Sequence, residues 1–195
     1  MLCLSCQFTA NFSGRDGSSG TDGNSGMDGT SGSSGSMDPD HPSAGGDGSN
    51  GSDGSDGGRG GDGENGPPVL VRVTLRPGSH PLLQAAVVSR GLGKLFLVDP
   101  QGGTLTVRDD GGSGGSGGKG GRGGRGGSGG SGTPNGSSGR DGSNGSDGPS
   151  GSPGRGGSIT VIYDPQVRPY LNMLRLSNVG GPRPVFKEQA MGPLW

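Results

Sequence analysis

From Gly14 to Gly35 glycine occupies every third position, with Gly17 and Gly20 in step, and the same register returns three more times. The second run extends from Gly45 through Gly48 to Gly66, the third from Gly111 to Gly132, and the fourth from Gly136 through Gly139 to Gly157. All four are equally long. A flexible Gly/Ser spacer needs neither a fixed register nor matched lengths, so their fourfold repetition argues for order. Period three is that of the polyproline II helix, which rises ~3.1 Å per residue without internal hydrogen bonds, so a run of this length would form a rod of roughly 68 Å. With no Cβ on its glycine face, such a rod can approach a neighbour closely enough for N–H···O=C bonds between the two. Glycine loses the most backbone entropy on ordering, so a solitary rod would stay disordered.

The third run reads Gly-Gly-X throughout, because Gly112, Gly115, Gly118, Gly121, Gly124, Gly127 and Gly130 add a second glycine face. Two bare faces predict an interior rod, in which Gly120 and Gly121 both meet neighbours. Its remaining face carries Lys119, Arg122 and Arg125, whereas the first run carries Asp16, Asp22 and Asp28 and the second Asp47, Asp53, Asp56 and Asp62. Opposite charges on different rods would help set register, although exposed pairs are worth only ~0–1 kcal/mol each. The Asp rows lack the apolar position of calcium-binding nonapeptide repeats, and solvated faces are the simpler reading. Collagen is the other period-three solution. Its X and Y sites are rich in proline and its chains run parallel, whereas here those sites are Ser, Asp, Asn, Arg and Gly, and short links such as Thr133-Pro134-Asn135 favour hairpins.

Only 24% of the chain is hydrophobic against a usual ~45%, and most of it flanks the runs. Gln7 to Phe12 leads into the first, Val69 to Leu75 leaves the second, Thr104 to Arg108 enters the third, and Ile159 to Tyr163 leaves the fourth. Their alternation and β-branched content predict strands. The order strand, run, turn, run, strand occurs twice, and Pro81-Leu82-Leu83-Gln84 matches Pro169-Tyr170-Leu171-Asn172, each readable as a short helix or a strand. The reading is therefore a tandem duplication. The expected fold is four antiparallel glycine-rich polyproline II helices in a bundle, with a small β-domain at one end. The divisions are 1–13 (N-terminal strand), 14–66 (first glycine hairpin), 67–110 (β-rich), 111–157 (second hairpin) and 158–195 (β-rich C-terminal segment). Lys94 to Val98 and Thr104 to Arg108 are expected to form the hairpin that stitches the halves together. Pro184 to Lys187 then lacks such a partner, and the strand from Cys3 to Phe12 would supply one, in the same chain or in the next molecule.

Chemistry is hard to find in this sequence. His41 and His80 sit in Pro-rich turn-like segments with no marked nucleophile beside them, and Cys3 and Cys6 form a lone CxxC. No cofactor or metal and no enzymatic activity are expected. The Gly-x-Gly-x-x-Gly matches in the third run follow trivially from its repeat. With a net charge of -1 and 4% aromatics, nucleic-acid binding is not expected. No membrane span and no clear secretion signal are legible.

Matched Gly-x-x rods joined by tight turns resemble the glycine-rich polyproline II, or polyglycine II, bundles of snow flea antifreeze proteins and of phage tail-fibre tip adhesins. The resemblance covers the four runs and departs from both in the β-rich segments between them. The architecture itself leads to the expectation of a non-enzymatic module of the extracellular space or cell surface, a rigid spacer or filament subunit. The alternative is an adhesin-like or ice-binding module that contacts a glycan or another surface through a rod face or tip loop. The structural glycines are Gly14, Gly17, Gly45, Gly48, Gly111, Gly112, Gly120, Gly121, Gly136 and Gly139. Met37, Asp38, His41, Thr133 and Asn135 are the tip-loop candidates, and Phe8, Phe12, Val185 and Phe186 the candidates for head-to-tail self-assembly.

Overall fold

The computed structural model describes residues 6–76, 78 and 80–195, so Cys3 lies outside the described residues. Eight strands follow one another: β1 (Gln7–Asn11), β2 (Val69–Arg76), β3 (Leu82–Ser89), β4 (Leu92–Val98), β5 (Thr104–Arg108), β6 (Ile159–Tyr163), β7 (Leu174–Ser177) and β8 (Val185–Glu188). A 3-10 helix, Pro165–Met173, lies between β6 and β7. They form a three-stranded sheet, order β1-β5-β7, and a five-stranded sheet, order β4-β3-β2-β6-β8.

This corrects the expected fold class. Among the described residues the protein is a mostly β-sheet fold, with two sheets and one short helix, and not a bundle of four polyproline II helices. No glycine run is a helix or a strand. The physical reason lies in the apolar quarter of the sequence. The buried hydrophobic residues, among them Val69, Val71, Val73, Leu83, Val87, Leu105, Val107, Ile159 and Val161, lie on the strands. Burying a Val, Leu or Ile side chain contributes ~1.5–3 kcal/mol, which a glycine face cannot supply. The runs joined by each short link lie antiparallel (Gly46 to Ser33, Ser49 to Thr30; Gly136 to Gly130, Gly139 to Gly127), whereas runs one and three, and runs two and four, lie parallel (Gly20 to Ser116, Gly35 to Ser131; Gly48 to Ser137, Gly57 to Ser146).

The chain divides into two compact units. The first holds the chain up to Gly17, Asp62–Gly114 and Ser152–Trp195, and the second holds Ser18–Gly61 and Gly115–Gly151. Both sheets belong to the first unit. There β1 pairs in parallel with β5, Gln7 opposite Thr104, and β2 in parallel with β6, Val69 opposite Ile159. The β1/β5 ladder runs on without a break into the glycine segments, through Phe12 to Arg108, Gly14 to Asp110 and Gly17 to Ser113. Only the spacing of the amide donors changes, from every second to every third residue.

β3 and β4 are joined by Arg90 (φ 48°) and Gly91 (φ 76°), both in the left-handed region that a two-residue type I′ turn requires. The expected hairpin between the halves is not formed: β4 belongs to the five-stranded sheet and β5 to the other, and Asp99 to Gly103 carries the chain across. Asp99 turns it there, its Oδ1 accepting the Gln101 amide at 2.8 Å. The two matched Pro-led segments part ways. Leu82–Ser89 is a strand, whereas the Pro169 segment lies in the 3-10 helix, whose N-cap Asp164 accepts the Gln166 amide. β8 pairs in parallel with β6, and so does not receive β1 as its partner. The tail after β8 is tied down by Asp164, which accepts the Met191 amide, and by buried Gln84, bonded to the Leu194 amide and the Trp195 carbonyl. Among the described residues no helix is long and apolar enough to cross a membrane.

Candidate functional site

In the second unit each glycine run is held by its neighbours through backbone amides. Run one donates from Gly20, Gly23, Gly26 and Gly29 to carbonyls of run three, at 2.6–2.8 Å. Run three donates from Gly118, Gly121 and Gly124 to run two, run two from Gly48 and Gly51 to run four, and run four from Gly139 and Gly142 to run three. Run two also bonds run one, Ser49 to Thr30 and Gly58 to Thr21. Runs two and three therefore each have three partners.

The glycines at these contacts are there because nothing larger fits. A Cβ on Gly45, Gly48, Gly120, Gly121, Gly136 or Gly139 would come within 3.0 Å of a carbonyl oxygen of another run. In the first unit the same holds for Gly14 against Glu64, Gly111 against Gly154 and Gly112 against Arg15, while the Gly17 amide is bonded to Ser113.

The polar residues between the glycines have a role that sequence reasoning missed. While remaining exposed, as expected of solvated rows, their side chains also accept the amides that the glycine ladder leaves over. Asp22 and Asp28 Oδ1 accept the amides of Lys119 and Arg125 at 2.8 Å. Asn50, Asp53 and Asp56 accept those of Arg140, Ser143 and Ser146, and Asp141, Asn144 and Asp147 those of Gly126, Gly123 and Gly120. Ser49, Ser52 and Ser55 Oγ do the same for Thr30, Met27 and Asn24. Asp and Asn alternate in one role, so the oxygen matters and the charge does not. The signal was present in the sequence as the restriction of these sites to Asp, Asn and Ser, the short acceptors.

A prediction follows for Asp56. Asp56→Asn keeps the acceptor and is expected to leave thermal stability within ~0.5 kcal/mol, whereas Asp56→Ala orphans the Ser146 amide and is expected to cost about 1 kcal/mol. Equal melting of the two variants would refute the acceptor role.

The tip-loop candidates come together in part. Thr133 donates its amide to the Ser43 carbonyl at 2.9 Å, joining the loop of residues 36–44 to Thr133-Pro134-Asn135, whose Thr-Pro bond is cis. Asn135 accepts the Gly132 amide, and Asp38 accepts the amides of Asp40 and His41. Met37 and the His41 ring are left outward, Met37 62% exposed.

In the first unit the assembly candidates differ among themselves. Phe8 packs on Phe96 with ring centroids 5.8 Å apart, and Phe12 lies under the Lys94 ammonium, both against the core. Val185 and Phe186, on edge strand β8, are half exposed. A hollow of 280 Å³ lies beside the C-terminal tail, lined by Arg72, Ile162, Gln189, Met191, Gly192 and Leu194. One guanidinium is its single charged group, which leaves it without an acid–base pair.

Three carboxylates of this unit are held ionised. Asp110 is drawn below the ordinary range by the Ser177 hydroxyl, the Val179 amide and Arg108, Asp164 by the Met191 and Gln166 amides, and Asp99 by the Gln101 amide and His80 at 3.1 Å. Their stabilisation is present above the ordinary carboxylate range and is lost as pH falls through their folded values. Asp109 is the exception. It is fully buried with neither oxygen hydrogen-bonded, and burial together with neighbouring Asp110 pushes it up to about 7 against the pull of Arg90.

Among the described residues no three His, Cys, Asp or Glu side chains are grouped to hold a metal, and Cys6 is disulfide-bonded. Compared with known proteins, the chain matches no family model, no curated sequence and no solved structure.

Proposed function

We propose that the protein is a non-enzymatic structural module of the extracellular space or cell surface, acting as a spacer or as a self-assembling subunit. The observation that carries this reading is the use made of the polar groups in the Ser18–Gly61/Gly115–Gly151 unit. Its glycine amides and its Asp, Asn and Ser side chains are engaged in binding the runs to one another. Groups committed in this way stiffen a scaffold and are withdrawn from chemistry. The disulfide at Cys6 supports an oxidising location. Half-exposed Val185 and Phe186 on an edge strand support pairing with a second copy.

A second reading, a surface-binding module, is favoured by the outward Met37 and His41 of the 36–44 loop. Sedimentation and negative-stain imaging at rising concentration separate the two. Growth into fibres, reversed by Phe186→Lys, is the result expected of a self-assembling subunit. Discrete particles at every concentration that are retained on immobilised glycans, and released by Met37→Asp, would favour the second reading.

A further inference from the structure

We propose that Asp109 is a proton-operated latch, a neutral acid that keeps closed the junction formed by residues 66–68, 108–110, 156–158 and Ser177, and that loosens this junction when its proton leaves to solvent. The geometry is that of a carboxyl group walled in by backbone. A Cβ on Gly66 would lie 2.6 Å from Asp109 Oδ1, and one on Gly157 would collide with Asp109 Oδ2 and with the Pro67 carbonyl oxygen. Both glycines are therefore required for the carboxyl group to be enclosed at all. It is 0% exposed, and no donor reaches either of its oxygens. Its backbone is fixed on both sides, the amide donating to Ser177 and the carbonyl accepting from Gly157, so the side chain cannot leave without opening the ladder.

The surroundings decide which protonation state fits. Pro67 and Gly66 present carbonyl oxygens on the same side of Gly157 as Asp109 Oδ2, so a carboxylate there faces acceptors, whereas a carboxylic acid has a proton to offer. The charged groups facing it are Asp110, next in the chain, and Arg90, from the β3–β4 turn. Asp110 repels a second negative charge and already engages Arg108. The segments at 66–68 and 156–158 and β7's Ser177 bring only glycine, proline and serine to the junction. An unpaired charge in such a setting is destabilising.

The direction of the pH dependence follows from the raised value. The native state binds a proton that the unfolded chain gives up above the ordinary carboxylate range, so this contribution is complete at acid pH and is lost as pH rises toward about 7. Between about pH 4 and pH 8 the unfolding constant is expected to rise tens-fold to roughly a thousandfold through this group. Denaturant titrations across that range test this on the whole chain. Asp109→Asn, uncharged and of the same shape, is expected to abolish the rise, while Asp110→Asn, which removes the repelling neighbour, leaves a rise of reduced size. An unchanged pH slope in Asp109→Asn would overturn the proposal. Should that variant not fold, the carboxyl carbon resonance of Asp109 in the unaltered protein decides. A midpoint near neutrality supports the latch, and one below about pH 5 overturns it.

Discussion

Gly121→Ala is expected to melt the Ser18–Gly61/Gly115–Gly151 unit, although it adds a single methyl group. The new Cβ would come closer than 3.0 Å to the Asn24 carbonyl oxygen, which belongs to the backbone of run one. Backbone cannot swing aside as a side chain can. Run three must shift, and with it go the bonds from Gly118, Gly121 and Gly124 to run two. Each is worth ~1 kcal/mol net, and overpacking adds ~1–3 kcal/mol, so the loss should be about 3 kcal/mol or more. In the unfolded chain the substitution acts in the opposite direction by ~0.4–1 kcal/mol, so a net destabilisation must come from the folded state. Gly120→Val, which meets Gly145 of run four, should behave in the same way. Gly46→Ala is a graded control, because its nearest obstacle is the Ser33 hydroxyl at 2.9 Å, which can rotate. Gly192→Ala meets nothing within 4 Å and should change stability by less than ~0.5 kcal/mol. Thermal melts of the four variants check this order.

The second large effect belongs to the sheets. Leu105 on β5 is 0% exposed, opposite Phe8 of β1 on one side and Leu174 of β7 on the other. Leu105→Ala removes apolar surface from the middle strand of the three-stranded sheet and is expected to cost ~2–5 kcal/mol in denaturant unfolding. Leu95→Ala, on an edge strand and 62% exposed, should cost less than ~0.5 kcal/mol. The contrast bears on the fold class. If Leu105→Ala were as mild as Leu95→Ala, the sheets would not be the seat of the hydrophobic core.

Much of the chain's organisation was legible in its sequence, but not its fold class. The segments flanking the runs became β1, β2, β5 and β6 with nearly the expected bounds, because their alternation of apolar and polar residues reports burial on one face. The count of sheets and their order were not legible. β1 and β5 pair across 97 residues and β2 and β6 across 90, and no local pattern names a partner so far along the chain. Asp99-Pro100-Gln101-Gly102-Gly103 has the composition of a hairpin turn and instead carries the chain from one sheet to the other. The dominance of period three drew the expected fold toward a helix bundle, yet the few apolar residues determine the regular structure. At the site, the glycines crowded by other runs could be picked out by register alone. The acceptor role of Asp53, Asp56 and Asn50 was signalled only by the shortness of their polar side chains, a feature that suits a solvated face equally well. Asp109 gave no sign either, since an aspartate just past a strand end normally faces water.

The glycine runs are ordered by amides bonded from run to run, and amide hydrogen exchange read by NMR is the decisive test. Strong protection is expected at Gly118, Gly121, Gly124 and Gly127, which are buried and bonded to run two, and weaker protection at Lys119 and Arg125, whose amide acceptors are Asp22 and Asp28. Exchange of all these amides at the rate of an unstructured peptide would contradict this ordering.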